Sequence, residues 1–478
     1  MVFCLFLVSS CMLEKKSKLV TYPAPTDEPA SRDFSLVVED QEVFVYQARV
    51  SAWPINQVWP GYQRPMDQTE MASFAYFDCS GKVRVELTTT LPIETVTIRP
   101  LSLGIEPVVE GDKISFALPG PGQLVVEVND YHHAFHLFAN PIETGKPDPE
   151  DPRVHYFRPG RHEAGTIELN SGESVYIEGG AIVHGNIQAD DAENIRVYGR
   201  GILDASKIGR FDARQMVSAL RCKHLVVEGI IFRDPHVWTV VPANCTDVRI
   251  SNIKLVGLWR YNADGIDLVN SQDVLIEDCF VRAFDDNIVL KGLKSRRYDT
   301  RARSLRNIVV RNCVLWNDWG RALEIGAETV ADSICEVTFE HCDIIHFVHI
   351  AMDVQNGDRA VVRNILFRDI RVEDPIKDSA RIAEHTYDPD RLGYLIDLNI
   401  RANPYSKDTI RGKIEHITYR QIDYRGSAFP PSTMTGFSDE HDIDNILLED
   451  VVINGKKAEN AEDLQLKTNE FVKEVTIR

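Results

Sequence analysis

Positive charge is scarce in this 478-residue chain: 53 Lys and Arg face 72 Asp and Glu, for a formal net charge of −19. No basic stripe offsets that repulsion, which speaks against nucleic acid as a partner. It also weakens the case for a polyanionic ligand unless a local basic cleft overcomes the global field. Beyond the first residues, no run is long and apolar enough to span a bilayer. The nine cysteines follow no metal-ligand spacing and imply no disulfide framework. No pattern calls for a cofactor or a resident metal.

The first twenty residues stand apart. Val2 to Val8 is apolar, Ser9-Ser10-Cys11 follows, and Glu14-Lys15-Lys16 comes next. This reads as a shortened secretory leader ending at a lipoprotein-type cysteine, although the usual positive start is missing. On that reading the protein is bacterial and periplasmic, outer-membrane-associated or secreted, with a lipid on Cys11 as its only membrane attachment. The other reading is a frayed apolar N-terminus with no targeting role.

What the chain has in abundance is a repeat. Val248-Arg249-Ile250-Ser251-Asn252-Ile253 is followed by Val274 to Cys279, Ile308 to Cys313, Val337 to Cys342, Ile365 to Ile370, Ile417 to Ile422 and Ile446 to Val451. From Val248 to Ile365 the blocks start 26, 34, 29 and 28 residues apart. Alternation with β-branched residues indicates half-buried strands. Strands this short bury their apolar side only by stacking on the next repeat. The sixth position is always apolar and compact, and Cys279, Cys313 and Cys342 fill it as small hydrophobes. Before it stands Asn252, Asp278, Asn312, Asp369 or Asp450, residue types that tolerate a sharp bend. The expectation is an all-β chain built on a right-handed parallel β-helix over residues 153–478. Leu464 to Arg478 is expected to cover its end.

Residues 21–152 read as a separate unit, an N-terminal β-sandwich with its linker. Val43 to Ala48, Lys82 to Leu87 and Leu124 to Val128 are strand-like, and the Pro- and Gly-rich stretch from Pro141 to Pro152 is the junction. Trp53 and Trp59 flank Pro and Gly and are expected in loops that reach toward a substrate. That arrangement would close a cleft at one end and favour cleavage from chain ends; an open groove would favour internal cleavage.

Three aspartates sit in register with the coils: Asp264 within Asn262-Ala263-Asp264-Gly265, and the pair Asp285-Asp286 twenty-one positions later. Carboxylates crowded on neighbouring coils suit acid/base hydrolysis, because crowding keeps one protonated while others stay ionised. A turn at Asp264 and a solvated bend at Asp285-Asp286 are the bland alternatives. With these motifs the coiled region, roughly residues 160 to 455, resembles the polygalacturonase family of glycoside hydrolases, family 28. A β-sandwich placed before the helix is similar to the dextranase and isopullulanase family, family 49. The resemblance implies inverting hydrolysis of a poly- or oligosaccharide, with Asp285 as general acid and Asp264 and Asp286 activating water.

Departures from the family pattern bear on the sugar. Gly320-Arg321-Ala322 stands where the family has Gly-His-Gly, and His349-Ile350-Ala351 stands where it has the Arg-Ile-Lys that grips a galacturonate. Bidentate carboxylate recognition is therefore missing at those positions. A neutral glycan becomes the expected substrate, and a pectin-type galacturonan the alternative. Arg321 is expected to hold an internal carboxylate among Asp285, Asp286 and Glu324; Glu324 is expected to neutralise it and accept sugar hydroxyls. Lys291 falls where family members also carry lysine. His236, Trp238, Trp319 and His349 complete the candidate substrate-binding set, with Trp259, Tyr261 and Trp316 as further aromatics. Two rivals stay open: a β-helical lyase using the acidic trio for Ca²⁺, and a non-catalytic glycan-binding protein. The sequence does not specify an oligomeric state.

Overall fold

The computed structural model describes residues 18–53, 58–295, 303–375 and 393–478. The leader-like start and Cys11 lie outside these residues. Among the described residues, no helix is long and apolar enough to cross a membrane.

From Val154–Phe157 to Val475–Ile477, the described residues form thirty strands of one continuous β-helix, parallel except where Lys456–Lys457 turns back on Ile443–Ile453. Each strand typically pairs with the strand one coil away, three along in sequence, so the coils present three parallel faces. The repeated blocks form one face, through Thr246–Ser251, Gln272–Glu277, Leu305–Arg311, Ser333–Glu340 and Val361–Val372. Ile253, Cys279, Cys313, Cys342 and Ile370 all point inward with no exposure. The seven described cysteines are buried and unbridged.

Asn252, Asp278, Asn312, Asp369 and Asp450 all have φ between 51° and 57°, so the expected bend is left-handed backbone. Asn and Asp visit this region most cheaply after glycine. A second left-handed column precedes each block, at Asp247, Asp273, Asn307, Glu336, Asn364, His416 and Asn445. Every block is thus a short strand between two bends, which is how one chain turns corners while its strands stay parallel.

The C-terminal expectation is corrected. Leu466–Thr468 and Val475–Ile477 add strands to two faces of the helix rather than lying across its end. Their backbone amides are satisfied best by the unpaired edge of the preceding coil.

The N-terminal region is a mixed sandwich. A six-stranded sheet centres on Thr69–Ser80, paired in parallel with Phe135–Pro141, and a five-stranded antiparallel sheet contains Phe34–Val38, Val83–Thr89 and Lys113–Leu118. Leu36, Phe77, Val85, Leu124 and Phe135 pack between them. The run Val43 to Ala48 is not a single strand: Gln41–Val43 and Tyr46–Ser51 belong to different sheets, with the chain crossing between them at Phe44 and Val45. Tyr46, Phe74 and Phe138 join the core of the helix. Arg200, on the helix, reaches Asp78 of the sandwich at 3.0 Å.

Candidate active site

Three adjacent coils converge on one spot of a single face, where Ile266–Val269, Ile288–Gly292 and Arg321–Thr329 run side by side. Asp264 immediately precedes the first strand, Asp285-Asp286 form the bend before the second, and Arg321 opens the third. Buried asparagines hold the bends. Asn287 donates to the carbonyls of Val281 (2.7 Å) and Trp316 (2.9 Å), and Asn317 donates to the carbonyl of Asp285 (2.7 Å). Gly320 is required by space, because a β-carbon there would lie 2.7 Å from Asp286 Oδ1.

The carboxylates occupy different environments. Asp264 is fully buried, Asp286 is 6% exposed, and Asp285 is only partly covered. Lys291 Nζ sits 3.1 Å from Asp264, 2.9 Å from Asp267 and 3.7 Å from Asp286. Asn262 donates to Asp264 Oδ1 at 3.1 Å. Arg321 lies 3.7 Å from Asp286, 3.9 Å from Glu324 and 3.4 Å from Asp353, and its backbone amide donates to Asp286 Oδ1 at 3.2 Å.

Burial and the neighbouring Asp286 push the Asp285 carboxyl up to about 7, with Arg321 and Lys291 pulling the other way. Burial acts on Asp286 too, yet Arg321, Lys291, a hydrogen bond with Glu324 and the Arg321 amide together hold it below the ordinary carboxylate range. Glu324 is raised well above its ordinary value by burial and by Asp286, with Arg321 pulling the other way. Asp264 is also raised, by burial and by Asp267, Asp285 and Asp286, with Lys291 opposing. The two adjacent aspartates are thus pushed in opposite directions, one toward holding a proton and one toward staying ionised.

The expected site residues fall into three groups. Asp264, Asp285, Asp286, Lys291, Arg321 and Glu324 form one cluster. Glu324, at 1% exposure, lies too deep to accept sugar hydroxyls and faces Asp286 instead. Trp319 and His349 stack on each other, with ring centroids 5.7 Å apart. His236 and Trp238 both lie in the bend before Val240–Ala243. There Trp238 packs in an apolar cluster with its ring 4.1 Å from Lys291 Nζ, while His236 lines a separate cavity beside Arg260. Trp316 is fully buried under Arg282, and Trp259 is tied to Asp234.

Asp267 and Asp353 escaped the sequence reading. Asp267 follows Asp264 by three and shares its lysine. Asp353 is the register partner of Glu324, and Asp397 is the register partner of Asp353. The available signal was an acid at the same strand position of successive coils, visible only once the register is known.

Residues 163–392 match the model of glycosyl hydrolases family 28. The coils are those of a family 28-like glycoside hydrolase. No curated protein sequence matches the chain. Among solved structures, Dex49A from Penicillium minioluteum is similar at 14% identity with a TM-score of 0.64, covering 96% of both chains. That likeness extends through the sandwich and the helix and is one of fold. An exopolygalacturonase from Thermotoga maritima is similar at 16% identity and a TM-score of 0.48, over 68% of this chain and 83% of its own. A family 28 exopolygalacturonase from Yersinia enterocolitica is similar at 14% identity and a TM-score of 0.43, over 82% and 96% respectively. The family 28-like enzyme described here hydrolyses glycosidic bonds of a poly- or oligosaccharide.

Proposed function

We propose that the enzyme cleaves an acidic, pectin-type glycan by a single displacement with inversion. The carboxyl of Asp285 gives its proton to the glycosidic oxygen as the bond from that oxygen to the anomeric carbon breaks. Water attacks the anomeric carbon from the opposite face, and its proton passes to Asp286. Asp264, clamped with Asp267 by Lys291, orients that water. The observation that carries this reading is the unequal placement of two neighbours: Lys291 and Arg321 each come within 3.7 Å of Asp286 and the Arg321 amide donates to it at 3.2 Å, which holds Asp286 low while Asp285 is drawn up.

The neutral-glycan expectation rested on positions 349 and 351, with the net negative charge of the chain behind it. Support for an acidic glycan comes from the family 28 match over residues 163–392, the family of the polygalacturonases. Arg321 is consumed by Asp286, Glu324 and Asp353, so a substrate carboxylate needs cations from elsewhere at the cleft.

The test is NMR of freshly released product together with kinetics of Asp285→Asn. Inverted anomers are expected. The variant should lose on the order of 10²–10⁴ in rate on natural linkages and much less on an aryl glycoside with a good leaving group. Retention of configuration, or equal losses on both substrates, refutes the assignment.

A further inference from the structure

In a chain with a formal charge of −19, cations gather in one place beside the candidate catalytic carboxylates. A cavity of about 260 Å³ is walled by Tyr62, Arg64, Lys207, Arg210, His236 and Arg260, and no Asp or Glu lines it. Arg64 and Tyr62 come from the N-terminal region. Lys207 and Arg210 come from the loop after Ile202–Asp204, and Arg260 comes from the segment leading into Asn262. Five of these six side chains are cationic or can become so.

The cavity is linked to the carboxylates through Asn262 and Phe284. Arg210 donates to Asn262 Oδ1 at 2.9 Å, and Asn262 in turn donates to Asp264. The guanidinium of Arg64 lies 4.6 Å from the ring centroid of Phe284, the residue before Asp285. Tyr62 stacks on Tyr261, with ring centroids 5.4 Å apart, and Arg210 sits over both rings.

Not all of this charge is spent internally. Arg260 pairs with Asp234 at 2.9 Å, and Lys207 pairs with Glu163. Arg64 is different. It is 4% exposed, donates only to the backbone carbonyls of Trp259 and Trp53, and its Nε has no partner among the described residues. Burial, opposed by Asp318, pulls this guanidinium down to about 9. A buried guanidinium with an N–H left unpartnered is costly unless an acceptor arrives to meet it. Planar guanidinium groups suit a carboxylate, and the half-exposed ring of Tyr62 offers a face for a sugar. The volume lies just below the ~300–1,000 Å³ usual for drug-sized ligands, which fits one sugar ring better than a continuous chain.

We propose that this cavity receives the carboxylate of a terminal hexuronate, so that Tyr62, Gln63 and Arg64 wall the cleft and the enzyme cuts acidic chains from an end. The inference rests on the acidic-glycan reading above and adds where the acid group binds and how the chain is cut. Arg64 takes the place of the missing basic pair at His349 and Ala351, with Lys207 and Arg210, which keep their own partners, adding to the local positive field.

The experiment compares trigalacturonate with its fully methyl-esterified form, for the wild type and for Arg64→Gln, Arg210→Gln and Lys207→Gln. The readout is the ratio of kcat/KM for the acid to that for the ester. The wild type is expected to prefer the acid. Each arginine variant should lower the ratio about tenfold or more, as for loss of a charge-assisted hydrogen bond. Should Arg64→Gln fail to fold, Arg210→Gln and Lys207→Gln decide. A wild type that cleaves only the ester or other neutral glycans overturns the acidic reading and this inference together. A wild type that cleaves the acid, with an unchanged ratio in the arginine variants, overturns the cavity assignment alone. Early digests of longer chains should contain one short product. A ladder of intermediate lengths would overturn the end-wall assignment.

Discussion

Asp285 and Asp286 share a peptide bond and differ in which neighbours they face, and that difference sets the pH behaviour. On the proposed mechanism Asp285 must be protonated, so kcat/KM is expected to fall as pH rises through about 7. The same mechanism needs Asp286 ionised, so the acid limb is expected below the ordinary carboxylate range. Arg321 pulls both groups down, and Arg321→Gln is expected to move both limbs upward while lowering turnover on neutral and acidic substrates alike. Glu324 supplies a hydrogen bond to Asp286, which gives a finer check. Glu324→Gln keeps a donor and should leave the acid limb in place; Glu324→Leu removes it and should raise that limb by about one pH unit. A pH profile in which Gln and Leu variants behave alike would deny Glu324 this positioning role. The three aspartates were legible in the sequence because adjacency and a four-residue motif carry them. Asp267 and Asp353 were not, since their meeting depends on which residues of successive coils stand in register, and no local pattern encodes that.

At the level of the coil, bends decide more than strands do. Asn312 has φ of 54°, and its side chain donates to Asp278 Oδ1 one coil away at 3.1 Å. The left-handed region costs an ordinary L-residue roughly 1–2 kcal/mol, and a β-branched side chain suffers most. Asn312→Gly should therefore lose little beyond one exposed side-chain contact. Asn312→Val should destabilise by about 1–3 kcal/mol, read as a drop in denaturation midpoint. Equal midpoints for the two variants would show that backbone strain is not what selects Asn. The bend inside each block was legible because Asn and Asp recur there. The bend before each block was not: Asp247, Asp273 and Asn307 share their position with Glu336 and His416, so side-chain identity blurs where the conformation does not. The C-terminal strands were misread as a cover for a related reason. Leu466–Thr468 and Val475–Ile477 are too short to carry a period, and only the open edge beside them makes them strands.

Across the whole molecule, the sandwich is fastened to the helix by charges far apart in sequence. Arg99 sits 2.9 Å from Glu127 and also pairs with Glu373 of the helix, while His346 of the helix pairs with Glu127. The amide of Leu101 donates to Glu373 at 2.6 Å. That a sandwich precedes the helix was legible from the strand-like runs, but pairs separated by more than two hundred residues leave no trace in a single sequence. The same docking carries Trp59 and Arg64 beside the candidate site, where Trp59 packs in the core on Tyr261 and Phe284. Arg99→Leu would leave Glu127 and Glu373 buried with one cation fewer, a loss on the order of 3–5 kcal/mol. His346, with Arg99, holds the Glu127 carboxyl down to about 2 against its ordinary 4.5, despite burial. A depressed carboxyl stabilises the fold fully above its unfolded value and loses that contribution as pH falls toward its folded one. The stability gap between wild type and Arg99→Leu should accordingly be widest above pH 4.5 and close toward pH 2. Because the coils have their own continuous core, the variant should lose activity at denaturant concentrations that leave the far-ultraviolet strand signal intact. Coincident loss of both signals, or a gap that widens in acid, would mean that Arg99 does not govern docking and that the cleft does not depend on the sandwich for its wall.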